Sequence, residues 1–574
     1  MKSISLVVVA LLLGVASGEI LNKGWWKNAV FYQVYPRSFM DSNGDGIGDL
    51  KGITDKLSYF QETGITAIWL SPINVSPMVD NGYDISDFRN IDPQFGTLDD
   101  LKNLIQKAKS LRVKVVLDLV PNHTSDKHDW FQLSQNRTKN YEDYYIWNDG
   151  KKIGNVTVPP NNWLSVFNSS AWTFHEGRNQ YYFHQFYKPQ PDLNYRNEAV
   201  QKEMKDIIEY WLDIGFDGFR IDAVPHLFEG DITKDEPTAT DIPPDAVVGR
   251  DHVTLNHTLT KDQPETYELI KSWRKIVDDY ANKRNQTEKV ILTEAYTSWP
   301  NTLNYYNSGS NVPFNFKFIT DADAKSSPAH FKEIIDNWMS GKPKDGIANW
   351  VMGNHDRVRV ATRYPGREDH MIMLEMILPG IAVTYYGEEI GMEDNNHFNF
   401  TEFRDPCRTP FQWDSSKNAG FSTGNKTWLP VNPNYVTVNL EEQKKSNESH
   451  YKLYTELIKL RKSDVLMNGN LQTVVLNNDV LAVIRKTNKN AVTLLMNFNQ
   501  NSSVSVNLND LVYQEQPEIK LKSVGSNLNQ TSIELSKLQV PAGAAIVLLT
   551  TNSAASIGIS IFSFLPLLLH FYRS

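Results

Sequence analysis

Eight short apolar runs recur along the chain, at residues 30–34, 66–70, 113–120, 218–222, 290–294, 312–316, 349–353 and 381–385. Helical stretches near 53–63, 98–110, 200–212 and 264–281 separate several of them. A continuous apolar run suits a strand buried on both faces, and parallel strands need a long, usually helical, crossover between them. Eight such units in series predict an α/β fold, a (β/α)8 TIM barrel, in preference to an open doubly wound sheet.

Two interruptions shape the rest of the chain. After the third run, residues 124–193 are rich in Trp, Tyr, Asn and Gly, and too long for a structureless loop in a compact domain, so an inserted subdomain is expected. After residue 463 the pattern changes to short alternating strands at 471–475, 480–485 and 491–498, which predicts a C-terminal antiparallel β-sandwich domain. The expected division is a barrel over 19–123 and 194–463, the insertion at 124–193 and the β domain at 464–550.

Lys2, the apolar residues 4–15 and Ala16-Ser17-Gly18 have the pattern of a secretory signal peptide over 1–18. Sequons at Asn155, Asn168, Asn256, Asn285, Asn425 and Asn447 fit an exported glycoprotein with N-linked glycans. Asn122-His-Thr is also a sequon, expected to stay bare because it lies beside the candidate site. At the other end, apolar residues 557–572 follow Asn552-Ser553-Ala554-Ala555-Ser556, a pattern like a GPI-attachment signal over 551–574. A retained membrane tail and a soluble secreted form are the alternatives. The lone Cys407 excludes an intrachain disulfide and is expected as a part-buried spare thiol, with interchain pairing as the alternative.

Lys and Arg number 58 against 67 Asp and Glu, giving a net charge of -9, which speaks against a nucleic-acid partner. Chemistry instead gathers at the strand ends, which converge on one mouth of such a barrel. The third run closes on Asp118 and leads to Asn122-His123; the fourth carries Arg220 and Asp222. Glu294 closes the fifth, and Asn354-His355-Asp356 follows the seventh. A single acidic strand end is readily explained as a helix cap. Four carboxylates with two histidines and an arginine point to catalysis.

The segments DLVPNH (118–123), GFRIDA (218–223), LTEAY (292–296) and GNHD (353–356) resemble the four signature regions of the α-amylase superfamily of glycoside hydrolases. QVYPRSF (33–39), GDGIGDL (44–50), GYDISD (82–87), QPDLNY (190–195) and RTPFQWD (408–414) are similar to its maltase and oligo-glucosidase branch, insect maltases included. The resemblance implies an exo-acting, retaining α-glucosidase that releases glucose from maltose, sucrose and short malto-oligosaccharides. Asp222 matches the nucleophile, Glu294 the acid/base and Asp356 the third acid. Arg220 would keep Asp222 ionised. His123 and His355 match residues that bind sugar hydroxyls; Tyr83 would stack on the terminal glucose and Asp84 accept from its hydroxyls. Arg404 is expected to pair with Asp84, with Arg408 as the rival. The small Ala223 after the nucleophile implies a preference for α-1,4 over α-1,6 linkages. A transglucosylase or oligo-1,6-glucosidase, and a non-catalytic cell-surface binding or receptor glycoprotein, are the alternatives.

Asp41, Asn43, Asp45 and Asp49 place side-chain oxygens at alternate positions of a Gly-rich loop, with the Ile47 carbonyl among them. Oxygen-only donors suit Ca2+, and the branch carries a structural Ca2+ in the matching loop, so a calcium site is expected. No organic cofactor is expected.

Overall fold

A computed structural model describes residues 19–528 and 533–552 of the 574-residue chain. The expected signal peptide and C-terminal attachment signal lie outside the described residues, apart from Thr551 and Asn552. Among the described residues no helix is long and apolar enough to cross a membrane.

Eight parallel strands form one sheet: β1 (Val30–Val34), β2 (Ala67–Leu70), β3 (Lys114–Leu119), β4 (Gly218–Ile221), β5 (Val290–Thr293), β6 (Val312–Pro313), β7 (Asn349–Val351) and β8 (Ile381–Tyr385). Their order, β6-β5-β4-β3-β2-β1-β8-β7, is a barrel whose ladder is interrupted only between β6 and β7. Pro313 has no N–H to offer there. The Asn349 side chain bridges the gap, donating to the Pro313 carbonyl at 2.6 Å and accepting from the Asn315 N–H at 2.8 Å.

Strand side chains alternate faces, and here both faces are apolar. Phe31, Ala67, Trp69, Val116, Val290, Leu292, Val351 and Val383 pack together inside the barrel. Val30, Tyr32, Ile68, Val115 and Leu117 belong to the outer layer packed with the helices. At Gly218 a β-carbon would collide with the Val290 carbonyl oxygen, so the strand pair can approach this closely only with glycine.

After β3 the chain builds a three-stranded antiparallel sheet from Trp147–Asn148, Gln180–Phe183 and Trp172–His175, in that order. It has its own aromatic core of Trp163, Trp172, Tyr181 and Phe183. A helix at Asp129–Gln135, which periodicity did not indicate, precedes this sheet. Beyond β8, strands β9 (Asn470–Leu476), β10 (Val480–Lys486), β11 (Asn490–Asn497), β12 (Glu515–Lys522) and β13 (Ala545–Thr551) pair antiparallel in the order β9-β10-β11-β13-β12. Ile484, Leu495 and Ile546 of this sheet share a core with Val506 and Val540 of a second, two-stranded sheet, which makes the C-terminal part a sandwich. Cys407 is buried, and burial pushes its thiol up to about 12, which disfavours the thiolate form.

Candidate active site

Strand parity carries the polar residues to one mouth. Val116 faces the barrel interior on β3, so Asp118 does too; Val290 and Leu292 do so on β5, so Glu294 follows on the same side. Arg220 and Asp222 share a face of β4 in the same way. These groups meet around the Arg220 guanidinium, which is 1% exposed. It bonds Asp222 directly, donates to Asp118 Oδ1 at 2.9 Å and lies 3.7 Å from Glu294 Oε1. The Trp69 ring lies beneath it at 4.9 Å, and Trp69 Nε1 and the Tyr83 hydroxyl donate to Asp118 Oδ2 at 3.2 and 3.0 Å.

Burial raises the pKa of all three carboxyls against the pull of Arg220. Asp118 is raised to about 6, Asp222 to about 7 and Glu294 to about 8, with Asp222 and Asp356 adding to the rise at Glu294. Glu294 lies farther from the guanidinium than Asp222 and keeps its proton longer; Asp222, bonded to the cation, is the more readily ionised of the two. Glu294 Oε2 also accepts the Ala223 N–H at 2.6 Å. Ala223 itself sits at φ 49°, in the left-handed region, where the chain turns sharply off β4.

Asp356 lines the same cavity. Its Oδ1 is 3.1 Å from Arg408 and 3.4 Å from Arg404, and Oδ2 is 3.5 Å from His355 Nε2. Burial opposes its ionisation, but His355, Arg404 and Arg408 together hold its pKa below the usual carboxylate range. Gln33 Nε2 donates to His355 Nδ1 at 2.8 Å, which leaves the ring proton on Nε2, beside Asp356. Tyr83 stacks on the His355 ring at 5.1 Å with 6° between the planes. Asp222, Ala223, Glu294, Asp356, Tyr83, His123, His355 and Arg404 all line this cavity, which has a volume of about 630 Å³.

Two sequence expectations change. Arg404 does not pair with Asp84; it bonds Asp80 Oδ1 at 2.7 Å and Glu402 Oε1 at 2.9 Å. Asp84 is fully buried and turns back into its own loop, accepting from the Ser76 hydroxyl and from the Val79 and Asp80 N–H groups at 2.9 Å each. Asp84 is not part of the cavity lining, and the acid this turn contributes to it is Asp80. His123, although in the lining, directs Nε2 to the Tyr83 carbonyl at 3.0 Å and Nδ1 towards Asn122 at 3.3 Å, so its contacts position the Tyr83 turn. Burial lowers its pKa to about 4, so it is neutral. Arg408, the rival to Arg404, donates Nε to the His355 carbonyl at 2.7 Å as well as facing Asp356.

Several lining residues were not singled out from the sequence: Asp80, Phe186, His226, Tyr296 and Phe403. Asp80 had a local signal, since DNGYD offers an acid on either side of Tyr83, but only the turn decides which one faces inward. Asn122 is 1% exposed and its Nδ2 donates to Asp192 at 2.9 Å, so this sequon cannot take a glycan in the folded protein.

In the loop at 41–49, Asp41 accepts from the N–H groups of Asn43, Gly44 and Gly46 and from the Ser422 hydroxyl. Asp45 accepts from the Ile47 N–H at 2.8 Å, and Asp49 caps the helix at Leu50–Asp55 through the Gly52 N–H at 2.7 Å. Among the described residues no group of three or more His, Cys, Asp or Glu side chains is gathered as metal ligands. The donors are nonetheless all oxygen, which is the chemistry a hard cation takes.

The α-amylase catalytic-domain model matches residues 33–469. Maltase 1 of Drosophila virilis is 50% identical over 490 residues, covering 81% of this chain and 77% of that one. A salivary α-glucosidase of Aedes aegypti is 44% identical over 521 residues, covering 86% and 89%. The solved structure of the α-glucosyl transfer enzyme XgtA superposes with a TM-score of 0.80 at 31% identity, over 92% of this chain and 99% of that one.

Proposed function

The chain belongs to the α-amylase family of glycoside hydrolases, and from that premise we propose that it is an exo-acting, retaining α-glucosidase of the maltase type. The observation that carries this reading is the cluster around Arg220, in which Asp222 and Glu294 share one buried cation and differ in how firmly each holds a proton. Asp222 Oδ attacks C1 of the bound glucose while the Glu294 carboxyl gives its proton to the departing oxygen. A covalent glucosyl-Asp222 results. Glu294, now a carboxylate, then takes a proton from the incoming water, which displaces Asp222 and releases α-glucose. Asp356, ionised between Arg404 and Arg408, stabilises positive charge at C1. Asp80 and Arg404 form the end of the pocket that reads the non-reducing glucose.

Maltose, sucrose and short α-1,4-linked malto-oligosaccharides are the proposed substrates, supported by the small Ala223 and by the maltase and α-glucosidase relatives. Trapping with 5-fluoro-α-D-glucosyl fluoride followed by peptide mass spectrometry tests the mechanism. The label is expected on Asp222 and absent from Asp222→Asn; a label on another carboxyl, or full maltose turnover by Asp222→Asn, overturns it. The likeness to an α-glucosyl transfer enzyme supports a second reading, transfer of glucose from Asp222 to a sugar hydroxyl instead of water. Product analysis on maltose separates the two, since transfer yields trisaccharide.

We further propose a structural Ca2+ held by Asp41, Asn43, Asp45, Asp49 and the Ile47 carbonyl. Calorimetry with and without chelator tests it, and an unchanged unfolding temperature argues against the ion. Export through the signal peptide, N-linked glycans and a C-terminal GPI anchor complete the proposal. The salivary relative supports export. Phospholipase release of the protein from intact cells tests the anchor.

A further inference from the structure

A second cavity, of about 340 Å³, adjoins the first, and Lys261, Tyr296 and Arg357 line both. Lys261 ends the long excursion between β4 and the helix at Pro264–Lys283; Arg357 directly follows Asp356. Both line the cavity that holds Glu294, and Lys261 lies within electrostatic reach of it.

The other cations lining these cavities have partners. Arg404 faces Asp80, Glu402 and Asp356, and Lys317 pairs with Asp321 at 2.9 Å. Lys261 and Arg357 make no side-chain hydrogen bond or ion pair among the described residues. Arg357 only rests over the Tyr296 ring, at 5.2 Å. Two acids lie within electrostatic reach of Lys261, Asp262 and Glu294. The Asp262 carboxylate, bonded by the Thr297 hydroxyl, is a charged neighbour that makes no direct ion pair with Lys261, and burial raises the pKa of Glu294 to about 8. Asp356, next to Arg357 in the chain, already faces two arginines. A half-buried ammonium that no carboxylate contacts directly is only partly neutralised, and an anion supplied by a ligand completes the pairing.

We propose that the aglycone side of the pocket is built for a leaving group that carries a negative charge, a carboxylate or a phosphate ester, set between Lys261 and Arg357. The inference rests on the glucosidase reading for the position of the leaving group. Arg357 offers a planar fork to such an anion and Lys261 a mobile point charge. The Tyr296 ring, which lines both cavities with them, provides an apolar wall for the body of the aglycone.

The test compares kcat/KM for para-carboxyphenyl and para-carboxamidophenyl α-D-glucopyranosides, which differ in charge and little in shape. A preference for the carboxylate of about tenfold is expected. It should fall to near one in Lys261→Met and in Arg357→Met and weaken in high salt. Trehalose 6-phosphate against trehalose gives the same comparison for a phosphate ester and distinguishes the two anions. Because the readout is a ratio within one protein, a variant that folds less well does not imitate the effect. Ratios near one for both pairs in the wild type, or ratios unchanged in both variants, overturn the inference. If maltose is still hydrolysed in that case, the glucosidase reading stands.

Discussion

Replacing Arg404 with methionine separates the two arrangements open to the end of the pocket proposed to read glucose. In the structure Arg404 Nη2 is 2.7 Å from Asp80 Oδ1, and both side chains are almost wholly buried. At an effective dielectric of about 20, opposite charges that close attract by about 6 kcal/mol before desolvation is counted. Breaking a buried pair by removing one partner costs about 3–5 kcal/mol, because the other charge is left uncompensated. Asp80 can take up a proton and recover part of that, and Asp356 keeps Arg408 at 3.1 Å. A fall of about 100- to 1,000-fold in kcat/KM for maltose is therefore expected for Arg404→Met. The decisive measurement is a double-mutant cycle with Asp80→Asn, read both in kcat/KM and in urea unfolding. The coupling between the two sites should be about 2–4 kcal/mol. The parallel cycle with Asp84→Asn should give less than about 1 kcal/mol, because Asp84 reaches Arg404 only indirectly, through the Asp80 N–H it accepts. Asp84→Asn on its own should act on stability, through the loop N–H groups it accepts. Stronger coupling of Arg404 to Asp84 than to Asp80 would refute the reasoning.

Three further outcomes follow from the same geometry. On the proposed mechanism the acid form of Glu294 is the active one and is lost as pH rises through its folded pKa of about 8, so kcat/KM on maltose should decline above that pH. The decline should vanish in Glu294→Gln assayed on an aryl glucoside, whose leaving group needs no proton; a persisting basic limb would assign it to another group. Ala223→Val should raise the isomaltose-to-maltose activity ratio, by about tenfold if one added branch acts sterically. It should also lower the unfolding temperature, because a β-branched residue at φ 49° costs about 1–3 kcal/mol; an unchanged ratio removes the steric argument. Asn349→Ala opens the β6–β7 junction and leaves the Pro313 carbonyl and Asn315 N–H unpaired, so urea unfolding should report a loss of about 2–3 kcal/mol. A loss below about 0.5 kcal/mol would mean that the junction holds without the bridge.

Much of the barrel and its reacting centre could be read without coordinates. Apolar runs with helical spacers identify strands buried on both faces, and a side-chain period of two puts Asp118, Arg220, Asp222 and Glu294 on the inner side once Val116, Val290 and Leu292 are known to face inward. These are local properties, so each strand carries them within itself. The β6–β7 gap was not readable in this way. Pro313 weakens the ladder visibly enough, but that Asn349 closes it depends on where the barrel brings the two strands.

Loops divide along the same line. The DNGYD segment determines that a turn carries two acids around Tyr83; whether Asp80 or Asp84 faces the cavity depends on which backbone N–H groups the turn leaves unsatisfied, and Asp84 satisfies them. Arg404 lies more than three hundred residues from Asp80, and Lys261 nearly a hundred from Arg357. Composition and spacing cannot pair charges that far apart. Covalent order alone determined which chemical groups stand at the strand ends and in what rhythm. Only the closed barrel decided which charges neutralise one another and which remain unpaired, because electrostatic pairing depends on distance through space and on burial, and both arise only when the strands close.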